Sequence, residues 1–280
     1  MTAALLPDRH PVRDFFIEAD ALDVTPRSDM ASMAHPIFSL ATPPDMRVLR
    51  YDAPGTFLEI HPSTKGLATI FDKDILIFCI SQLMHRRNRK LPVEQVVRIT
   101  THDLLVATNR PTGGINYKRL EQALDRLAGT RIKTNIKTGD EVSTQNFGLI
   151  DWYDYNRKGS GFTERLRYLD IKLSDFLYRA IQKAEVLAIS RDYFRLRSPI
   201  DRRIYELARK HCGSQPSWRI GIDNLKQKCG SKQAMKHFAA HVRALESRND
   251  LPDFTITFDG TQATFSRRQR AVVSATATAT

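Results

Sequence analysis

Three cysteines in 280 residues, Cys79, Cys212 and Cys229, are too few and too unevenly spaced for a disulfide framework. They read as reduced core side chains in a cytoplasmic protein. No stretch approaches the roughly 20 apolar residues that cross a bilayer, and no signal peptide opens the chain, so no membrane partner is expected. Neither a GxxxxGK[ST] nor a GxGxxG loop occurs, which removes the usual cradles for nucleotide phosphates, and no cofactor is expected. Zinc is poorly provided for. Cys212 and Cys229 do not form a CxxC pair, and His237 and His241 fall one helical turn apart beside an apolar stripe. His61 is followed by Pro62 and Ser63, not by the second histidine that a nicking enzyme would pair with a tyrosine nucleophile. Tyr153 and Tyr155, beside Asp151 and Asp154, read as strand packing. No metal ligand or catalytic residue is assigned, and the chain is not expected to be an enzyme.

Positive charge is abundant. Lys plus Arg number 43 against 31 Asp plus Glu, a formal net charge of +12. The excess is uneven, because residues 1–54 carry five arginines against eight acidic side chains. A basic body behind an acidic arm suits a polyanion partner, since phosphate contacts release counterions and supply most non-specific affinity.

Residues 101–152 sharpen this to DNA. A short helix is expected over 101–108, with Thr101 as N-cap and Leu104 and Leu105 turned inward. Pro111, Gly113 and Gly114 then force a turn. A second helix follows over 115–128, with Tyr117, Leu120, Leu124 and Leu127 as its apolar stripe and Gly129 ending it. Residues 130–137 and 142–152, around a turn at 138–140, read as a hairpin. Helix, turn, helix and hairpin is the order of a winged helix-turn-helix.

The order recurs. Ser198-Pro199 opens a helix running to Cys212 and closed by Gly213, with Ile200, Ile204, Leu207 and Ala208 inward and Arg202, Arg203, Arg209 and Lys210 outward. A short strand at 218–220 and a helix over 223–229 follow. Gly230 turns the chain, and Ser231 is expected to cap a helix with Ala234, Phe238, Val242 and Leu245 inward. Residues 254–258 and 261–266 flank Asp259-Gly260, a strong hairpin signal. Before the first copy, 35–40 and 47–51 read as short leading strands, 56–61 as an alternating strand, 72–88 as a helix with a basic C-terminus, and 96–99 as a strand.

The expected fold is therefore α+β: two tandem winged-helix domains with a flexible N-terminal arm. Residues 1–54 form the arm and leading strands, 55–165 the first domain, 166–268 the second, and 269–280 a disordered tail. Within the arm, 14–22 is acidic and apolar and could dock on a partner.

Residues 66–77, 189–203 and 205–211 (GLATIFDKDILI, ISRDYFRLRSPIDRR and YELARKH) resemble the plasmid replication initiator protein A family of alpha-proteobacteria, over about 29–268. The resemblance implies binding to iterons in double-stranded origin DNA, duplex opening, and recruitment of the host initiator and helicase. It also implies a homodimer acting as autorepressor and a monomer acting as initiator. A winged-helix transcriptional repressor is the alternative reading. The DNA-facing side chains expected are Asn116, Lys118, Arg119 and Gln122 on the first recognition helix, and Lys232, Gln233, Lys236 and Arg243 on the second. Lys133 and Lys137 on the first wing, and Arg267 and Arg268 after the second, are expected to reach phosphates.

Overall fold

The computed structural model describes residues 5–11, 24–135, 145–158 and 165–268. The expectations for 14–22, Lys137, the turn at 138–140 and the tail from 269 concern residues outside these.

Two hydrophobic cores organise the chain. The first runs from Ile37 to Val186, and the second from Ile189 to Phe265 with Met33 and Ile77 added. The boundary expected at 165/166 thus falls inside the first core, because the strand that begins there is paired on both sides.

Residues 24–34, expected as arm, instead form β1 (Arg27–Asp29) and α1 (Met30–Ala34). Asp29 caps α1 by accepting from the Ser32 amide at 2.7 Å. The stretch 35–40, expected as a strand, carries only an isolated bridge from Ser39 to Thr69. β2 (Leu49–Ala53) and β3 (Thr56–His61) form a hairpin turned at Gly55, whose φ of +73° favours a residue without Cβ. α2 (Lys73–Asn88) is buried on nearly all sides from Lys73 to Met84, Lys73, Asp74 and Ser81 included, the pattern of an enclosed helix. Ile75, Leu76 and Cys79 enter the first core, while Ile77 enters the second. One helix therefore serves both cores.

β4 (Val96–Ile99), α3 (Thr101–Ala107), α4 (Gly114–Gly129), β5 (Arg131–Thr134) and β6 (Gln145–Gly148) follow. Thr100, not Thr101, caps α3, accepting from the Asp103 amide at 3.1 Å. Thr101 is one residue too far into the turn and its side chain is buried. The single strand expected over 142–152 is two. β6 ends at Gly148, where the bend is so tight that an added Cβ would lie 3.1 Å from the Ile150 carbonyl oxygen. β7 (Ile150–Lys158) then joins a different sheet with β8 (Arg165–Leu173) and β4. The other sheet of this core runs β2-β3-β5-β6. α5 (Asp175–Gln182) and β9 (Val186–Ala188) close the first half, with β9 antiparallel to β1.

A short 3-10 helix (Arg191–Arg195) leads into α6 (Pro199–Cys212), β10 (Ser217–Gly221), α7 (Ile222–Cys229), α8 (Met235–Arg248), β11 (Phe254–Phe258) and β12 (Gln262–Arg267). Ser198 caps α6 with Pro199 in its first turn, and Gly213 ends it at φ +48°. Strand order here is β10-β12-β11.

The order helix, strand, helix, helix, two strands is therefore present twice, as α2-β4-α3-α4-β5-β6 and α6-β10-α7-α8-β11-β12. The copies differ in pairing: β10 joins its own hairpin, whereas β4 joins β8. Arg202 and Arg203, expected outward on α6, are buried because carboxylates draw them in. Arg202 Nη1 lies 2.6 Å from Asp74 Oδ1, and Arg203 Nη1 lies 3.2 Å from Glu206 Oε2.

Candidate nucleic-acid interface

Between α3 and α4 the chain reverses through Asn109, at a left-handed φ of +55°, and Pro111. Gly113 occupies the N-cap of α4 without a side-chain bond. α4 then buries Leu120, Ala123, Leu124 and Leu127. That stripe turns Lys118, Arg119 and Gln122 outward, and all three are exposed. Asn116 differs from the expectation, being 9% exposed. It lines a cleft beside the helix instead of facing solvent. Ile115 is 63% exposed in the first turn of α4. Sequence reasoning passed over it because an apolar residue was read only as a core candidate.

In the second copy Gly230 takes φ +69°, and an added Cβ would lie 2.7 Å from Pro36 Cβ and 2.8 Å from Tyr51 Oη. Only glycine fits where this turn meets the first half of the molecule. Ser231 does not cap α8. Its hydroxyl accepts from the Gln233 amide at 3.4 Å in a turn, and the helix begins after an N-cap at Ala234, which is exposed. Phe238, Val242 and Leu245 are the buried stripe. Lys232 and Gln233 therefore precede the helix and line a second cleft with Tyr51, the Lys232 ammonium standing 5.5 Å from the Tyr51 ring centroid. Lys236 and Arg243 do lie on the exposed face of α8, joined there by His237.

Lys133 is exposed on β5, between Glu59 of β3 and Asn146 of β6. Arg267 ends β12, also exposed. Arg268 is engaged locally: its Nε donates to the Leu251 carbonyl and its Nη2 to Asn249, tying the end of α8 to the sheet. At the β11–β12 turn, Asp259 accepts from the Gln262 and Thr261 amides and the Thr261 hydroxyl, which lowers its pKa to about 2. The tip of this hairpin is thus anionic, and Arg219 of β10 sits 3.4 Å from it.

Among the described residues no group of three or more His, Cys, Asp or Glu side chains is arranged to hold a metal. All three cysteines are buried and free, and burial raises the Cys79 and Cys229 thiols to about 12. His241 Nε2 lies 2.6 Å from Asp201 Oδ1, holding α8 against the start of α6. Among the same residues no helix is long and apolar enough to cross a membrane.

Residues 27–256 match the family described as Replication initiator protein A. A relative from Wigglesworthia glossinidia brevipalpis, described as "Putative replication protein", is 37% identical over 250 residues, covering 89% of this chain and 90% of its own. Domains 2 and 3 of RctB superpose with a TM-score of 0.59 at 12% identity, over 87% of this chain and 99% of theirs. The Pi initiator protein, crystallised in complex with iteron DNA, does so with a TM-score of 0.50 at 17% identity, over 72% of this chain and 92% of its own. At such identities these structures speak to the mixed helix-and-sheet fold alone. The family match spans most of the sequence, and with that relative beside it the chain belongs to the Replication initiator protein A family.

Proposed function

We propose that the chain is a plasmid replication initiator that reads double-stranded origin DNA through two tandem winged helix-turn-helix domains, divided between Val186 and Ile189. One observation carries this reading: α4 follows a tight turn with its apolar stripe buried, and presents Ile115, Lys118, Arg119 and Gln122 to solvent. A helix so placed can enter a major groove, where Gln pairs with adenine and Arg or Lys with guanine, each good pairing worth about 1–3 kcal/mol. Ile115 adds an apolar group suited to a thymine methyl. α8 supplies Lys236 and Arg243 as the second reading surface, while Lys133 and Arg267 reach the phosphate backbone. Lys232 and Gln233 act from the junction between the domains. Family membership and the likeness in fold to Pi, a protein solved on iteron DNA, support repeats at an origin as the target. On this reading the bound origin opens, the host initiator and helicase are recruited, and the chain catalyses no bond breakage itself. A dimeric form acts as repressor of its own gene.

The test has two stages. Selection from a randomised duplex library should yield one preferred sequence. A plasmid carrying repeats of that sequence, but deleted for its own initiator gene, should then replicate when this chain is supplied in trans. Binding without replication would leave a repressor; no preferred sequence would overturn the reading altogether.

A further inference from the structure

Residues 5–11 do not hang free. The Leu6 amide donates to the Arg195 carbonyl at 2.8 Å, and Arg195 Nε returns a bond to the Leu6 carbonyl at 2.7 Å. Leu5 packs against the second core and bridges to Leu196. From Pro7 onward the arm reaches the turn between α3 and α4. Asn109 Nδ2 donates to the Pro7 carbonyl at 3.1 Å, its Oδ1 accepts from the Arg9 amide at 2.8 Å, and His10 Nε2 lies 2.9 Å from the Arg110 carbonyl. The segment is thus a strap from the second half of the molecule to the turn that delivers α4. It also fixes the backbone of Arg9.

Arg9 opens onto a cleft of about 650 Å³ between the two halves. Six arginines line it against two aspartates. Three of them are satisfied: Arg126 chelates Asp72 with two bonds of 2.7 Å, and Arg110 and Arg202 share Asp74 at 3.0 and 2.6 Å. Both carboxylates are thereby used up. Arg9, Arg119 and Arg197, brought by the strap, by α4 and by the segment before α6, are exposed and have no side-chain partner among the described residues. Like charges gathered in one concavity repel unless an anion enters, and a guanidinium fork matches phosphate oxygens in geometry and charge. The cleft also shares Arg119 and Gln122 with the outward face of α4.

We infer that this cleft is a phosphate-backbone clamp, in which Arg9 and Arg197 grip one strand of the same duplex whose major groove receives α4 with Arg119. The inference rests on the DNA-binding reading above and extends it. The N-terminal strap becomes part of the binding surface, and DNA is held by both halves of the chain at once. A backbone contact of this kind adds affinity without sequence preference.

Salt dependence tests it, because each phosphate neutralised contributes roughly −0.9 to the slope of log K against log salt. The full chain is titrated against the library-selected duplex and against a random-sequence duplex. Arg9→Gln and Arg197→Gln should each reduce the slope by about one unit and weaken both duplexes by a similar factor, leaving the preferred sequence and the melting temperature unchanged. Asn109→Gly, which removes both side-chain bonds to the backbone at Pro7 and Arg9 and tolerates the left-handed φ, should lower the slope in the same direction as Arg9→Gln, and the two changes together should lower it by no more than Arg9→Gln alone. Unchanged slopes for both arginine variants would overturn the clamp. So would a melting-temperature rise with ATP or tripolyphosphate that Arg9→Gln and Arg197→Gln abolish while duplex affinity stays intact, since the cleft would then hold a small phosphate ligand. Absence of any selected sequence defeats the initiator reading but not this one, whose slopes are read equally on random DNA.

Discussion

Lys73 on α2 places its ammonium 2.6 Å from the Glu206 carboxylate on α6, and the two side chains are 1% and 2% exposed. The same carboxylate accepts from the Tyr193 hydroxyl at 2.8 Å and faces Arg203 at 3.2 Å. One residue along, Asp74 binds Arg202 of α6 and Arg110 of the α3–α4 turn. The two halves of the molecule are therefore joined by buried charge at the start of α2, beside the apolar contact made by Ile77. Such a junction fixes orientation more firmly than it adds stability, because desolvation offsets much of the attraction.

Removing one partner is another matter, since it leaves a buried charge less compensated. Lys73→Met should lower unfolding free energy by about 3 kcal/mol. Adding Glu206→Gln should deepen that loss, because buried Arg203 then gives up its carboxylate partner. Chemical denaturation measures both; a loss under about 1 kcal/mol for the single variant would mean that water relieves the pair.

Thr100 and Thr101 separate the two roles a threonine can take at a helix start. Thr100 accepts from the Asp103 amide, whereas the Thr101 hydroxyl is buried with no bonding partner among the described residues. Thr100→Val should cost about 1 kcal/mol as a lost cap. Thr101→Val, which removes an unsatisfied polar group at nearly constant shape, should be neutral or stabilising. The opposite ranking in thermal unfolding would restore Thr101 as the cap.

That one-residue difference typifies what the sequence could and could not reveal. Element types and their repeated order were legible, because Leu120, Leu124 and Leu127, or Phe238, Val242 and Leu245, mark a buried face by period alone. Capping residues at Ser198 and Gly213 were equally plain. What escaped depends on distant partners. Arg202 and Arg203 look like a solvated helix face until Asp74 and Glu206, more than a hundred positions away or on the same helix, draw them in. Lys232 and Gln233 resemble a helix start until Tyr51 and Pro36 close over Gly230. The division of 142–152 at Gly148 likewise comes from two sheets competing for one strand, which no local propensity encodes.

His35 and His211 confer a pH dependence with a definite sign. Burial first, and then Arg203, Lys228 and Lys210, lower the His35 pKa from 6.5 to about 4. Burial and the same three cations lower His211 to about 4, and its ring stacks on Trp218 with centroids 4.7 Å apart. Both rings are neutral in the fold, while the unfolded chain takes up protons near pH 6.5. Stability rises with pH wherever the unfolded state binds more protons. It is therefore full above pH 6.5 and declines as pH falls towards 4. Melting temperature followed from pH 7.5 to 4.5 should drop across that window, and the drop should be shallower in His211→Gln. A flat profile between pH 7 and 5 would refute the assignment.

Ile115 is the sharpest probe of base reading by α4. It is 63% exposed, contributes nothing to either core, and occupies the first turn, the part of a recognition helix that meets base edges. The groove feature that rewards an apolar side chain is the thymine C5-methyl. Replacing thymines of the selected duplex one at a time by deoxyuridine deletes that methyl while keeping base pairing. At one position in each site the replacement should weaken binding by about 3- to 10-fold, the scale of one buried methyl group. In Ile115→Ala the same replacement should have no effect, because the methyl has already lost its partner, while the other thymine positions respond as before. Lys118→Ala serves as the contrast, expected to weaken binding without changing the deoxyuridine response at the Ile115 position. If Ile115→Ala and deoxyuridine effects add independently at every thymine, no methyl contact exists and α4 enters the groove in another orientation.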